Sequence, residues 1–167
     1  MRLIVVADTH MPRRGTSLPA FLTEGIEKTR PDLILHLGDF TGEQIPELFE
    51  RFAPLQAVAG NNDGTSLHAR FGRRKIVEVG GVRIGMVHGD SPRGTAVETA
   101  LRSFAADNLD VIAFGHSHLA LCERRDDFWL LNPGSPTDRR RSPYFSYAEL
   151  EIAGRRITPK LHCHKPA

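Results

Sequence analysis

Leu3-Ile4-Val5-Val6-Ala7-Asp8-Thr9-His10 opens the chain with an apolar run that leads straight into a carboxylate and, two places on, an imidazole. The pattern recurs. Leu33-Ile34-Leu35-His36-Leu37 leads into Gly38-Asp39, and Leu55-Gln56-Ala57-Val58-Ala59 leads into Gly60-Asn61-Asn62-Asp63. Val82-Arg83-Ile84-Gly85-Met86-Val87 leads into His88, and Val111-Ile112-Ala113-Phe114 into Gly115-His116-Ser117-His118. Short apolar runs stopped by glycine and polar residues read as buried strands. Ligands of open α/β sheets bind outside the carboxyl ends of strands, so all these exits can converge on one crevice. They would bring oxygen and imidazole donors there, without a thiol. That mixture suits Mn, Fe, Ni or Zn in a polynuclear site, not a structural cysteine-type zinc site.

Outward from these strands, the first half of the chain alternates strand and helix. A helix fits 18–29, with Leu18, Phe21, Leu22 and Ile26 on one face, Ser17 as its cap and Gly25 weakening it. Others fit 45–52 and 96–107, the latter burying Val97, Ala100, Leu101, Phe104 and Ala105. The second half reads as hairpins: 75–79 with 82–86 around Gly80-Gly81, 119–124 with 128–131, and 144–152 with 156–161. Parallel βα units followed by hairpins predict an α/β fold with mixed sheets packed face to face and helices outside. No repeat, low-complexity tract or linker divides the sequence, so 1–167 is expected to be one domain.

Bulk properties narrow the function. A hydrophobic content of 40% and a charged content of 25% are those of an ordinary globular protein. A formal charge of +2 gives no argument for nucleic acid as a partner. Two cysteines, Cys122 and Cys163, are too few for a disulfide framework. No secretory signal pattern or bilayer-length apolar run is present, so the expected compartment is the cytoplasm, with no membrane partner. Homo-oligomerisation is left open.

Each candidate ligand has an ordinary alternative. Asp8 and His10 stand two apart, so their side chains share one direction while the chain stays extended. Alone, they would be a cap and a surface histidine. His116 and His118 repeat that spacing. Gly60-Asn61-Asn62-Asp63-Gly64 has the composition of a turn, which is compatible with a ligand loop. His36, within an apolar strand, reads as a satisfied core residue or a partner of a ligand, and His68 as helix or loop surface. His162 and His164 read as surface residues. Arg13-Arg14 and Arg139-Arg140-Arg141 are arginine clusters. Arginine matches phosphate oxygens bidentately, although a solvated charge run is the simpler account of Arg139 to Arg141.

Asp-x-His, Gly-Asp, Gly-Asn-x-Asp, a lone His and Gly-His-x-His, in that order, resemble the calcineurin-like metallophosphoesterases. The small single-domain YfcE-like phosphodiesterases are the best fit, from Asp8 to Ser135. The resemblance implies a four-layer α/β/β/α sandwich and two divalent transition-metal ions, Mn first, with Ni, Co, Fe or Zn as alternatives. It implies one site of Asp8, His10, His118 and a bridging Asp39, and a second of Asp39, Asn61, His88 and His116. Asn132-Pro133-Gly134-Ser135 resembles a family block that closes one side of the pocket. The implied activity is hydrolysis of a small phosphoester, a diester more than a monoester, by in-line attack of metal-bound hydroxide. Asp39, Asn61 and His88 are its catalytic residues, and Arg13, Arg14 and Asn62 contact substrate. Asn62 stands where many larger members place a histidine that assists the leaving group, so that help is absent unless Asp63, Asp90 or a metal-bound water substitutes. Asp90 also departs from a Gly-His pattern common after the lone histidine. A retromer subunit resembling this branch serves as a protein-binding scaffold, which is the alternative function. A nuclease would rest on the arginine clusters alone.

Overall fold

The computed structural model describes residues 1–166. The strands are β1 (Arg2–Val6), β2 (Leu33–His36), β3 (Leu55–Ala57), β4 (Arg74–Val79), β5 (Val82–Val87), β6 (Val111–Phe114), β7 (Leu121–Arg125), β8 (Phe128–Asn132), β9 (Phe145–Ala153) and β10 (Arg156–His164). The helices are α1 (Ala20–Thr29), α2 (Ile45–Glu50), α3 (Thr65–Phe71) and α4 (Ala96–Ser103). One sheet has the order β10-β9-β1-β2-β3 and the other β4-β5-β6-β8-β7. Both are mixed: β1 pairs in parallel with β2 and antiparallel with β9, while β6 lies parallel to both β5 and β8.

Period-two alternation within uniformly apolar strands builds the layers. On β1, Leu3 and Val5 join Ile84, Met86, Val111 and Ala113 in a core between the sheets. Ile4 and Val6 face the other way, with Ile34, against Leu22 and Ile26 of α1 and Phe49 of α2. On the second sheet Ile112, Phe114 and Leu130 pack against Ala96 and Ala100 of α4. The result is the expected α/β/β/α sandwich. Among the described residues no helix is long and apolar enough to cross a membrane.

Several element ends differ from expectation. α1 starts at Ala20 because Pro19 holds φ −60°, ψ 143° before it, and no side chain caps it there. α4 is closed by a reciprocal pair, Thr95 Oγ1 accepting from Glu98 N while Glu98 accepts from Thr95 N, and it stops at Ser103. α3 was not expected; it follows directly on the glycine-rich turn at 60–64. β10 extends to His164, so His162 and His164 are strand residues: His162 pairs with Glu149 at 3.0 Å and stacks on Tyr147.

Candidate metal centre

Parallel pairing brings the strand ends together. Asp8 N donates to Gly38 O at 3.0 Å, which sets the Asp8 loop beside Asp39. Gly115 N donates to His88 O at 2.9 Å, which sets the 115–118 loop beside His88. The glycines are steric requirements at two of these joins. A Cβ on Gly60 would lie 2.2 Å from Asp39 Oδ1, and one on Gly38 would lie 2.7 Å from Gly60 N.

The ligand atoms converge. Asp8 Oδ1 lies 3.4 Å from His118 Nε2, 3.8 Å from His88 Nε2 and 3.9 Å from His10 Nε2. Asp39 Oδ2 lies 3.4 Å from His88 Nε2 and 3.6 Å from His10 Nε2. His10 Nε2 and His118 Nε2 face each other at 3.3 Å. Two buried trios have the spacing of a cation site, Asp8 with His10 and His118, and Asp8 with Asp39 and His88. Asp8 is common to both trios, whereas the resemblance implies a bridging Asp39. The His116 ring packs edge-on to His88, and its backbone N donates to Asp8 Oδ2 at 2.9 Å.

The backbone delivers these ligands differently from the extended arrangement expected. Asp8, His10, Asp39, His116 and His118 have φ of 55°, 46°, 61°, 68° and 60°. Each is left-handed, a conformation that non-glycine residues hold only where neighbours over-determine it, and one found often at functional sites. Asp8 and His10 therefore meet because the chain turns at both residues. Strand alternation is not the reason.

Tautomers and charges suit a cation. His88 Nδ1 lies 2.7 Å from Leu37 O, and His118 Nδ1 contacts Asp138 O. A carbonyl only accepts, so each Nδ1 holds a hydrogen and each Nε2 is the nitrogen turned inward, the one that can ligate a metal once it carries no proton. Asp8 Oδ1 and His88 Nε2 are buried without a hydrogen-bond partner among the described residues. A divalent cation would satisfy both, so this donor set fits a metal. Burial opposes a charge on His88, but Asp39 and Asp8 outweigh it and push its pKa up to about 9. Burial likewise works against the Asp39 carboxylate, yet His88 and Asn62 hold it well below the usual carboxylate range. Burial lowers His10 against the opposing pull of Asp39 and Asp8, and burial together with neighbouring His88 lowers His116.

Asn61 and Asn62 are both exposed, and the amide that the structure shows hydrogen-bonded to the centre is that of Asn62. Asn62 Nδ2 donates to Asp39 Oδ2 at 2.7 Å and its backbone N to Asp39 Oδ1 at 2.9 Å. Asn61 and Asn62 stand in the tight turn closed by Asp63 N donating to Gly60 O at 3.3 Å. Neither carboxylate considered as a proton source is free. Asp63 accepts from Asp39 N, Thr41 N and Gly60 N, and Asp90 pairs with Arg73. His36 is fully buried and satisfied, accepting from Gly38 N and bonding Thr9 Oγ1, and its burial keeps it neutral.

Asn132 and Ser135 fasten ligand loops. Asn132 Nδ2 donates to Gly115 O at 2.9 Å, and Ser135 Oγ donates to Asp8 O at 2.8 Å. Arg13 and Arg14 border a recess beside His10 and Asn62. Arg140 borders it too, and a run of three arginines gave no signal that the middle one would line this recess.

Residues 1–155 match the model of the calcineurin-like phosphoesterase superfamily domain. A probable metallophosphoesterase of Methanocaldococcus jannaschii is 36% identical over 154 residues, covering 91% of this chain and 76% of its own. A phosphodiesterase of the same organism is 27% identical over 148 residues, covering 80% of this chain and 83% of its own. The crystal structure of Vps29 complexed with zinc from Entamoeba histolytica superposes with a TM-score of 0.77 at 22% identity, covering 99% of each chain.

Proposed function

Because the chain belongs to the calcineurin-like phosphoesterase superfamily, we propose that it is a dinuclear-metal-dependent phosphodiesterase of the cytoplasm, acting as one domain on a small phosphoester. The observation that carries this reading is the pair of buried, unpartnered ligand atoms, Asp8 Oδ1 and His88 Nε2, at the meeting point of two ligand trios. We assign Asp8, His10, Asp39, Asn61, His88, His116 and His118 as the ligands, with manganese as the first candidate metal.

Bound there, a metal pair would lower the pKa of water and neutralise charge on the phosphoryl oxygens. The protein's own contributions follow from its contacts. Leu37 O and Asp138 O orient the imidazoles of His88 and His118. Asn62 holds both oxygens of Asp39 through two donated hydrogen bonds. Arg13 and Arg14 offer guanidinium donors to the ester's oxygens beside that centre. No serine or cysteine nucleophile is required.

Hydrolysis of bis-p-nitrophenyl phosphate against p-nitrophenyl phosphate, with Mn, Ni, Co, Zn or Mg, tests the reading. The diester should have the higher kcat/KM. A reversed preference would make the protein a monoesterase. No turnover with any metal would favour an interaction scaffold.

A further inference from the structure

Arg13, Arg14 and Arg140 surround a recess of about 200 Å³ whose wall on the metal-centre side is His10 and Asn62. Arg14 and Arg140 both approach Asp138 Oδ2 through Nε, at 3.3 and 3.8 Å. Among the described residues none of these three guanidiniums donates a hydrogen bond, whereas Arg139 donates to Ser142 O and Arg70 to Glu50. Asp138 is a fixed post: its backbone N donates to Ser135 Oγ at 2.8 Å, and its carbonyl holds His118 Nδ1. Arg140 has φ 47°, a conformation that a solvated charge run does not require.

The charge count of the recess is three guanidiniums against the single carboxylate of Asp138, an excess of two positive charges. A simple diester carries one negative charge, on the phosphoryl group that the centre itself would neutralise. The recess is thus surplus to a simple diester and matched to a second phosphoryl group. Its volume is below the ~300–1,000 Å³ of sites for drug-sized ligands, so it suits a phosphoryl group and not a whole organic substituent. Arg14 also borders a groove of about 530 Å³ lined by Phe21, Phe145 and Pro136, where such a substituent has room.

We propose that the recess formed by Arg13, Arg14 and Arg140 binds a non-reacting phosphate, and that the substrate is an organic compound with at least two linked phosphoryl groups. This rests on the phosphoesterase reading above. Calorimetric titration of the metal-free chain with inorganic pyrophosphate and with orthophosphate reads the recess without turnover. Pyrophosphate should bind at least about tenfold more tightly, the worth of one further charge-assisted contact. Arg13→Ala and Arg140→Ala should each weaken pyrophosphate about tenfold. Arg140→Lys should recover only part, because an ammonium lacks the bidentate fork. Arg141→Ala, outside the recess, should change nothing.

Equal affinity for the two anions, or variants that titrate like the native chain, overturns the proposal. Hydrolysis of bis-p-nitrophenyl phosphate by the metal-loaded chain separates the two claims. Turnover together with arginine-independent pyrophosphate binding removes the recess assignment alone. Arginine-dependent binding without turnover on any ester removes the phosphoesterase reading and leaves a diphosphate site.

Discussion

Asp63→Asn keeps every heavy-atom position and almost the same volume, yet it should cost a large share of the protein's stability. Asp63 is buried, and its Oδ2 accepts from Asp39 N at 2.9 Å and Gly60 N at 2.8 Å while Oδ1 accepts from Thr41 N at 2.8 Å. Asparagine offers one oxygen. If that oxygen keeps the pair on the Oδ2 side, the new NH2 meets Thr41 N–H, donor against donor; the opposite rotamer strands two amides. A hydrogen bond to a charged acceptor contributes ~1.5–3 kcal/mol, and an unsatisfied buried donor costs ~1–3 kcal/mol. The two overlap, so a loss of about 2–4 kcal/mol is expected. At ~2–4 °C per kcal/mol for a domain of this size, the melting temperature should fall by about 4–16 °C. The assay is thermal and urea unfolding of metal-free protein, which keeps changed metal affinity out of the comparison. Turnover should also fall, because Asp63 positions Asp39, but its dependence on leaving-group acidity should not change. A stability loss below about 0.5 kcal/mol, the size of an ordinary surface substitution, would refute the reasoning. A flattened or steepened leaving-group dependence would instead make Asp63 the proton donor.

Elemental analysis should find two metal ions per chain. Asp39→Asn and Asp8→Asn should each deplete both, and His118→Ala mainly one; intact metal content in Asp39→Asn would end its role as a bridge. General acid help contributes ~10²–10⁴-fold, and with Asn62 in place of an acid the rate should depend steeply on the leaving group. Asn62→His should raise alkyl-ester turnover most, as a graded diester series on both variants would show. The metal-free protein should also lose stability as pH rises. His88 is raised from 6.5 to about 9, so its charged form stabilises the fold fully below pH 6.5, and that contribution is lost between there and about 9. Melting temperatures across that range, compared with His88→Gln, check the sign.

The layers were legible in the sequence because one rule builds them: an apolar run with period-two sidedness is buried on both faces, as β1 is by Leu3 and Val5 inward and Ile4 and Val6 outward. The convergence of Asp8, Asp39, His88 and His118 was legible because parallel strands must end on the same side. Loop conformation was not. The left-handed φ of the ligands depends on partners far away in sequence, and residue spacing alone predicted an extended chain. The same blindness left the Asn62 bonds to Asp39 unforeseen, because residue spacing does not give the direction of each amide in the 60–63 turn. It also hid Arg140 within a run of three arginines.

The strained ligand loops and their fastenings form two separable sets. Each loop with left-handed candidate ligands is tied by a buried polar side chain outside the candidate set: Ser135 on Asp8 O, Asp63 on Asp39 N, Asn132 on Gly115 O. These ties run between protein groups alone, so the fold is expected to survive metal removal, unlike small domains that fold only around zinc. What the ties leave open is Asp8 Oδ1 without a hydrogen-bond partner among the described residues, and His10 Nε2 facing His118 Nε2 at 3.3 Å, where at most one proton fits between them. Changes to ligands should therefore remove metal first, with a loss of metal-free stability where they break the attraction of His88 to Asp39 and Asp8. Changes to the ties should lower stability first and activity only through the ligands they hold. Metal binding then stabilises the protein by occupancy, by about 2.7 kcal/mol at a hundredfold excess over Kd, and not by completing its folding.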